Sequence, residues 1–162
     1  MELARQMGCG HTQVFGALMK AAPFTQGEGF MVTRDDLESF LIRMDLDFHE
    51  VDDGMFLVHG PNNGAPVVVH HSPPLLVVRM KVMGLPDDKD LGALYEALLI
   101  WNATDVVHGA YGIEEGDLIL TDTLELETLD FPELQASLES LQMAASSHME
   151  KIKSLAGTGQ ED

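Results

Sequence analysis

Residues 75–83 read LLVVRMKVM, and the fold follows from how that stretch alternates. Leu76, Val78, Met80 and Val82 fall on one face of an extended chain, and Leu75, Val77, Arg79 and Lys81 on the other. A period of two, with both cations on the same side, is the pattern of a strand buried on one face. Just upstream, Ser72-Pro73-Pro74 interrupts the run. Proline has no N–H to give to a ladder, so either a strand ends here or an edge strand bends. Before it, Val67 to His71 reads as a strand and Pro61-Asn62-Asn63-Gly64 as a turn. Leu46–Val51 and Met55–His59 form a hairpin, since Asp52-Asp53-Gly54 supplies the positive φ of a tight turn.

Helices flank these strands. Thr33 is a natural N-cap with Asp36 three residues on, and Leu37, Phe40, Leu41 and Met44 give a buried stripe ending near Asp45. Downstream, Pro86-Asp87-Asp88 is expected to cap a helix that runs to Asn102. Its apolar residues Leu91, Leu94, Tyr95, Leu98, Leu99, Ile100 and Trp101 cover more than one face, so it must be covered twice. A second subunit is the expected second cover, with Leu94, Leu98 and Trp101 as the dimer contact. A hairpin follows from Val106 through Glu114-Glu115-Gly116 to Glu127. The last helix opens at Asp130, with Pro132 in its first turn, and ends near Gly157. Leu134, Leu138, Leu141, Ala145, Met149, Ile152 and Leu155 form its stripe. Short turns between consecutive strands make an α+β domain: a mainly antiparallel sheet with helices packed on one face.

That domain is expected over residues 31–156. Residues 1–30 read as an N-terminal arm. In it Val14, Phe15, Leu18, Met19 and Ala22 mark a short amphipathic helix near 11–22, before a Gln26–Gly29 linker. Met31 is an alternative start to Met1. Residues 157–162 read as a flexible tail.

The charge is one-sided. From Asp90 to Glu150 there are thirteen Asp and Glu and no Lys or Arg, within a chain of net charge −18. Such a surface lacks the cations that displace counterions from nucleic acid or bind anionic lipid, so neither is an expected partner. It suits docking onto a basic protein, such as one that itself binds nucleic acid in DNA metabolism, or serves solubility. One cysteine, Cys9, excludes an internal disulfide, and no apolar run of membrane-spanning or signal-peptide length appears, so the expected address is cytoplasmic.

The segment His108-Gly-Ala-Tyr-Gly-Ile-Glu-Glu-Gly-Asp-Leu-Ile-Leu-Thr-Asp-Thr-Leu-Glu-Leu-Glu127, with Leu129-Asp130-Phe131 after it, resembles the bacterial YbjN family of sensory transduction regulators. That family is similar in fold to the class I type III secretion chaperones, small acidic homodimers with the same order of elements. The resemblance implies a homodimer that binds another protein and has no enzymatic activity. It brings no catalytic residues, and the first 30 residues have no counterpart in it. From the charge and apolar surface, the expected partner is a protein that is basic or has an exposed apolar segment, and the expected role is chaperone-like or regulatory.

Candidate sites carry less weight. Glu114, Glu115, Glu125 and Glu127, with Leu141 and Ile152, are the expected partner contacts. His49, His59, His70 and His71 lie among strands, but His70 and His71 point to opposite faces and no Cys or Glu completes a ligand spacing, so no metal or other cofactor is expected. Cys9 beside His11 lacks the surroundings of a reactive thiol. Gly8-Cys9-Gly10 and Gly27-Glu28-Gly29 lack the context of nucleotide loops. An enzyme built on paired carboxylates is the rival from another class, but the acids alternate with Thr121 and Thr123 as on a solvated strand face. Asp122 breaks the apolar series Leu118, Leu120, Leu124, Leu126. A bulge or a strand break there is the favoured reading, and a buried, partnered acid the third.

Overall fold

The computed structural model describes residues 31–60 and 64–158. The expected arm helix at 11–22, its linker, Cys9 and the tail beyond Thr158 lie outside the described residues, as does most of the turn at 61–64. The elements are α1 (Arg34–Arg43), β1 (Phe48–Asp52), β2 (Met55–Val58), β3 (Val67–Ser72), β4 (Leu75–Gly84), α2 (Gly92–Thr104), β5 (Ala110–Glu114), β6 (Asp117–Glu125) and α3 (Phe131–Leu155). Their order is the expected one. The strands form one antiparallel sheet in the order β1-β2-β3-β4-β6-β5.

The registers sort the side chains into two faces. One row joins Val58, Val67, Met80, Leu120 and Tyr111, and the next joins Phe56, Val69, Val78 and Asp122. All of these except Asp122 are buried, under Leu37 and Leu41 of α1, Leu94 and Leu98 of α2, and Leu134, Leu138 and Leu141 of α3. The helices therefore cover this inner face. Ser72 and Leu75 pair directly across the prolines, so β3 ends there in a tight hairpin between two interior strands.

Local chemistry fixes the ends of these elements. Thr33 and Asp36 form a complete capping box at α1: the Asp36 N–H donates to the Thr33 hydroxyl oxygen at 3.2 Å and the Thr33 N–H to the Asp36 carboxylate at 3.0 Å, while the Thr33 hydroxyl donates to the same carboxylate at 2.6 Å. The hydroxyl hydrogen bond, then the backbone one, hold that carboxyl below the ordinary aspartate range. A depressed folded-state pKa adds stability above the unfolded pKa, and that stability is lost as pH falls through the folded value. Thr33→Ala is thus expected to lower the melting temperature at neutral pH, with the gap from wild type narrowing below about pH 4. Thermal unfolding across pH 2–7 checks this.

The helix expected from Asp88 begins later, at Gly92. Lys89 donates from Nζ to the Gly157 carbonyl, tying this segment to the end of α3, and Asp90 accepts from the Gly92 N–H at 2.9 Å. Asp87 and Asp88 form a turn, and these two contacts hold Lys89 and Asp90 outside the helix. The β5–β6 hairpin turns on Glu115 and Gly116 at φ 50° and 83°, the two-residue geometry that matches strand twist.

Asp122 corrects the favoured reading. The β4–β6 register runs unbroken through it, opposite Val78, and the shift in that ladder lies between Lys81 and Met83. Asp122 stands on the inner face and accepts from the hydroxyl of Ser137, a fully buried α3 residue, at 2.7 Å. Its second oxygen accepts from the Thr123 N–H at 2.9 Å. The strand keeps its register because the acid meets a donor from the covering helix. Ser137→Ala should cost about 1–2 kcal/mol, because it strips a half-buried carboxylate of its donor. A urea-unfolding double-mutant cycle with Asp122→Ala should recover most of that as coupling, and independent effects would contradict the pairing.

Candidate protein-docking surface

Three surface features stand out against the acidic background. The first is the outward side of α2. Leu94 (0% exposed) and Leu98 (5%) face the sheet, so they are core residues rather than the expected dimer contact. A helix puts residues one turn apart on one side, and the side opposite Leu94 and Leu98 carries Leu99 at 69% and Ile100 at 52% exposure, flanked by Tyr95. The helix is apolar on two sides, as its sequence indicates, but the residues turned outward differ from those expected.

Trp101 is also turned inward. It stacks on His148 of α3 with ring centroids 4.1 Å apart and planes at 12°. The His148 Nδ1 lies 2.9 Å from the Tyr111 hydroxyl, which also donates to the Ala144 carbonyl at 3.2 Å. Burial pushes the Tyr111 phenol well above the usual tyrosine range, so it stays protonated as a donor. Asn102 completes the joint: its side chain accepts from the Tyr111 N–H at 2.7 Å and donates to the Tyr111 carbonyl at 3.2 Å. This cluster pins α2 to β5 and α3, and so fixes which way Leu99 and Ile100 point. His148 had no visible role in the sequence; its position on α3 opposite the β5 tyrosine emerges only in the fold.

The second feature is the outer sheet face. Its rows run His49, Leu57, Val68, Arg79, Thr121, Ala110 and Met55, His70, Val77, Thr123. Leu57, Val68 and Val77 are only half-buried, and no helix among the described residues covers them. The cations on this face are neutralised in place, Arg79 by Glu114 at 2.7 Å and Lys81 by Asp117 at 2.6 Å. His49 and His59 stack on each other at 5.4 Å, and His71 bonds the Val32 carbonyl at 2.9 Å. Among the described residues no three metal-ligating side chains gather.

The third feature is a groove of about 790 Å³ on the helical side, between the second half of α3 and the loop ends at Gly60 and Ala65. Met80, Met143 and Met149 line it, with Glu139 and Glu150 beside them.

The expected partner contacts do not form one surface. Glu114 and Glu115 sit at the β5–β6 turn, whereas Glu125 and Glu127 lie at the far end of β6, roughly 27 Å away for a nine-residue strand. Leu141 and Ile152 are fully buried and belong to the core. The α3 stripe packs inward over its whole length, which leaves those two side chains nothing to offer a partner.

The CesT_Tir_1 model, that of the type III chaperone family, matches residues 31–158. The chain belongs to this family. The match spans every element from α1 to α3, and the likeness extends to solved structures. A chain of the heterodimeric ExoU–SpcU complex from the type III secretion system of Pseudomonas aeruginosa is 16% identical, with a TM-score of 0.57 over 70% of this chain and 95% of that one. A chain of the Yersinia pestis type III secretion chaperone SycH in complex with a fragment of YscM2 is 20% identical, with a TM-score of 0.53 over 71% and 98%. YbjN from E. coli is 14% identical, with a TM-score of 0.57 over 74% and 92%. At these identities the likeness is one of fold, and it agrees with the YbjN-like, chaperone-like architecture read from the sequence. Comparison with curated protein sequences gives no match. Among the described residues no helix is long and apolar enough to cross a membrane.

Proposed function

We propose that this CesT_Tir_1 family member is a non-enzymatic, homodimeric module that binds another protein in the manner of a chaperone, in the bacterial cytoplasm. The outward apolar strip of α2 carries this reading: Leu99 and Ile100 stand open on a chain of net charge −18, where exposed aliphatic pairs on one helix face mark an interaction surface. A second copy closes that strip by pairing α2 with α2, the self-complementary arrangement of a two-fold dimer. The open sheet face then remains for the partner, whose apolar or basic segment lies across Leu57, Val68 and Val77. The surrounding acids keep the complex soluble and turn away nucleic acid and anionic membrane.

The solved ExoU–SpcU and SycH–YscM2 complexes support a protein as ligand, since both pair a chain of this fold with another polypeptide. A purely electrostatic docking onto a basic protein through Glu115, Glu125 and Glu127 is the weaker reading, because these acids lie at opposite ends of the hairpin. The carboxylate-pair enzyme finds no support either: Glu114, Asp117 and Asp122 are each engaged by Arg79, Lys81 and Ser137. Affinity capture with the full chain from its native cell, read by mass spectrometry, tests the proposal. One protein recovered in stoichiometric amount is the expected result, and nothing above background is the contrary one.

A further inference from the structure

β5 is an edge of the sheet, and the backbone polar groups of its Tyr111 point away from β6 toward α2. The Asn102 side chain meets both groups: its Oδ1 accepts from the Tyr111 N–H at 2.7 Å and its Nδ2 donates to the Tyr111 carbonyl at 3.2 Å. A residue of a neighbouring antiparallel strand makes the same two contacts in a hydrogen-bonded pair. A helix side chain thus stands where a further strand would begin. Every second residue of a strand points its polar groups the same way, so the Ile113 N–H and C=O also face outward. Among the described residues no side chain bonds them, and Ile113 is 52% exposed.

We infer that Asn102 is a stop that holds the β5 edge closed against the β5 edge of a second copy. Charge and self-complementarity choose that occupant. Ala110 to Ile113 contains no charge and no proline, the devices that ordinarily keep sheet edges apart. Glu114, the first acid of the strand, is bound by Arg79 at 2.7 Å. The opposite edge differs, because β1 carries Glu50 and Asp52 and two copies would repel there. Two β5 strands laid antiparallel with Tyr111 opposite Ile113 would join each outward N–H to an outward C=O. Tyr111 is unavailable for that pairing while Asn102 holds it, and Ile113 alone is too short an edge to recruit a strand.

Amide hydrogen exchange of the wild-type full chain gives the first test, with Tyr111 expected to be protected and Ile113 open. Equal protection of the two would overturn the inference, since the edge would already be paired. Asn102→Ala removes both contacts. That variant should sediment at roughly twice the wild-type mass or more, with its Ile113 amide gaining protection as concentration rises. Adding Ile113→Pro deletes an outward N–H that β6 does not use, and should restore the wild-type mass. Each mass is read against the wild type, so the outcome is the same whether that chain is a monomer or pairs through α2. A folded Asn102→Ala chain of wild-type mass with an open Ile113 amide would overturn the inference. So would a mass increase that survives Ile113→Pro. If Asn102→Ala loses its far-UV circular dichroism, Asn102→Asp replaces it. The aspartate keeps the acceptor for the Tyr111 N–H and loses the donor to the carbonyl, and the same outcomes decide.

Discussion

Replacing Leu99 and Ile100 together by glutamate should convert a dimer of 17.7 kDa chains into monomers at micromolar concentration. Burying an aliphatic side chain of this size is worth about 1.5–3 kcal/mol, and these two are 69% and 52% exposed in the isolated subunit. Their joint loss therefore removes at least about 3 kcal/mol from the association, roughly a hundredfold in Kd. The two new carboxylates add a desolvation cost and, in the proposed α2–α2 dimer, like-charge repulsion across the two-fold axis. Because both positions point away from the core, the far-UV circular dichroism of the variant should match that of the wild type. Leu94→Glu makes the informative contrast: its side chain is fully buried under the sheet, so that substitution should unfold the domain rather than dissociate it. Light scattering reads both. A wild-type chain that is monomeric, or a double variant that stays dimeric, would remove α2 from the interface.

Among the glycines, the largest effect on stability is expected at Gly109. Its φ is +80°, and a Cβ there would lie 2.6 Å from the Thr121 carbonyl oxygen, 3.1 Å from Leu141 Cδ1 and 3.2 Å from Asp122 Cβ. The nearest of these is backbone of the adjoining strand, so relief requires β5 to move away from β6. Gly109→Ala should cost about 3 kcal/mol or more, combining left-handed strain with the clash. For a chain of this size that lowers the melting temperature by roughly 6–12 °C. Gly116, at φ +83° with nothing within 4 Å, isolates the conformational part. Gly116→Ala should cost only about 1–2 kcal/mol. Similar losses at the two positions would show that the close approach of Gly109 to Thr121 is not a constraint.

Most of the architecture was legible because the deciding signals are local. The Thr33–Asp36 box, the alternation of Leu75 to Met83 and the Asp130–Pro132 start of α3 each report a short-range rule, and all three elements formed where those rules place them. The features that escaped depend on tertiary partners. Periodicity shows that α2 is apolar on two sides but carries no information on which side meets the sheet, and it is the side of Leu94 and Leu98 that does. The delayed start of α2 follows from Lys89 reaching the end of α3, a contact 68 residues away. Asp122 looked like a break in a strand because its donor, Ser137, is supplied by a helix that comes later in the chain. The acids Glu114 and Glu125 are close in sequence, yet an extended strand holds them at opposite ends of the hairpin. The Met-lined groove has no sequence signature at all, since Met80 and Met149 come together only when α3 lies across β4.

In the proposed function a protein partner is held by apolar surface within an acidic coat. The affinity of the captured partner for the full chain, measured by calorimetry at 0.15 M and 1 M salt, tests this most directly, because screening shortens from about 8 Å to about 3 Å between the two. Apolar docking predicts nearly equal affinities, with a negative heat-capacity change on binding. Binding that collapses at high salt would contradict the account and assign recognition to the acidic residues themselves.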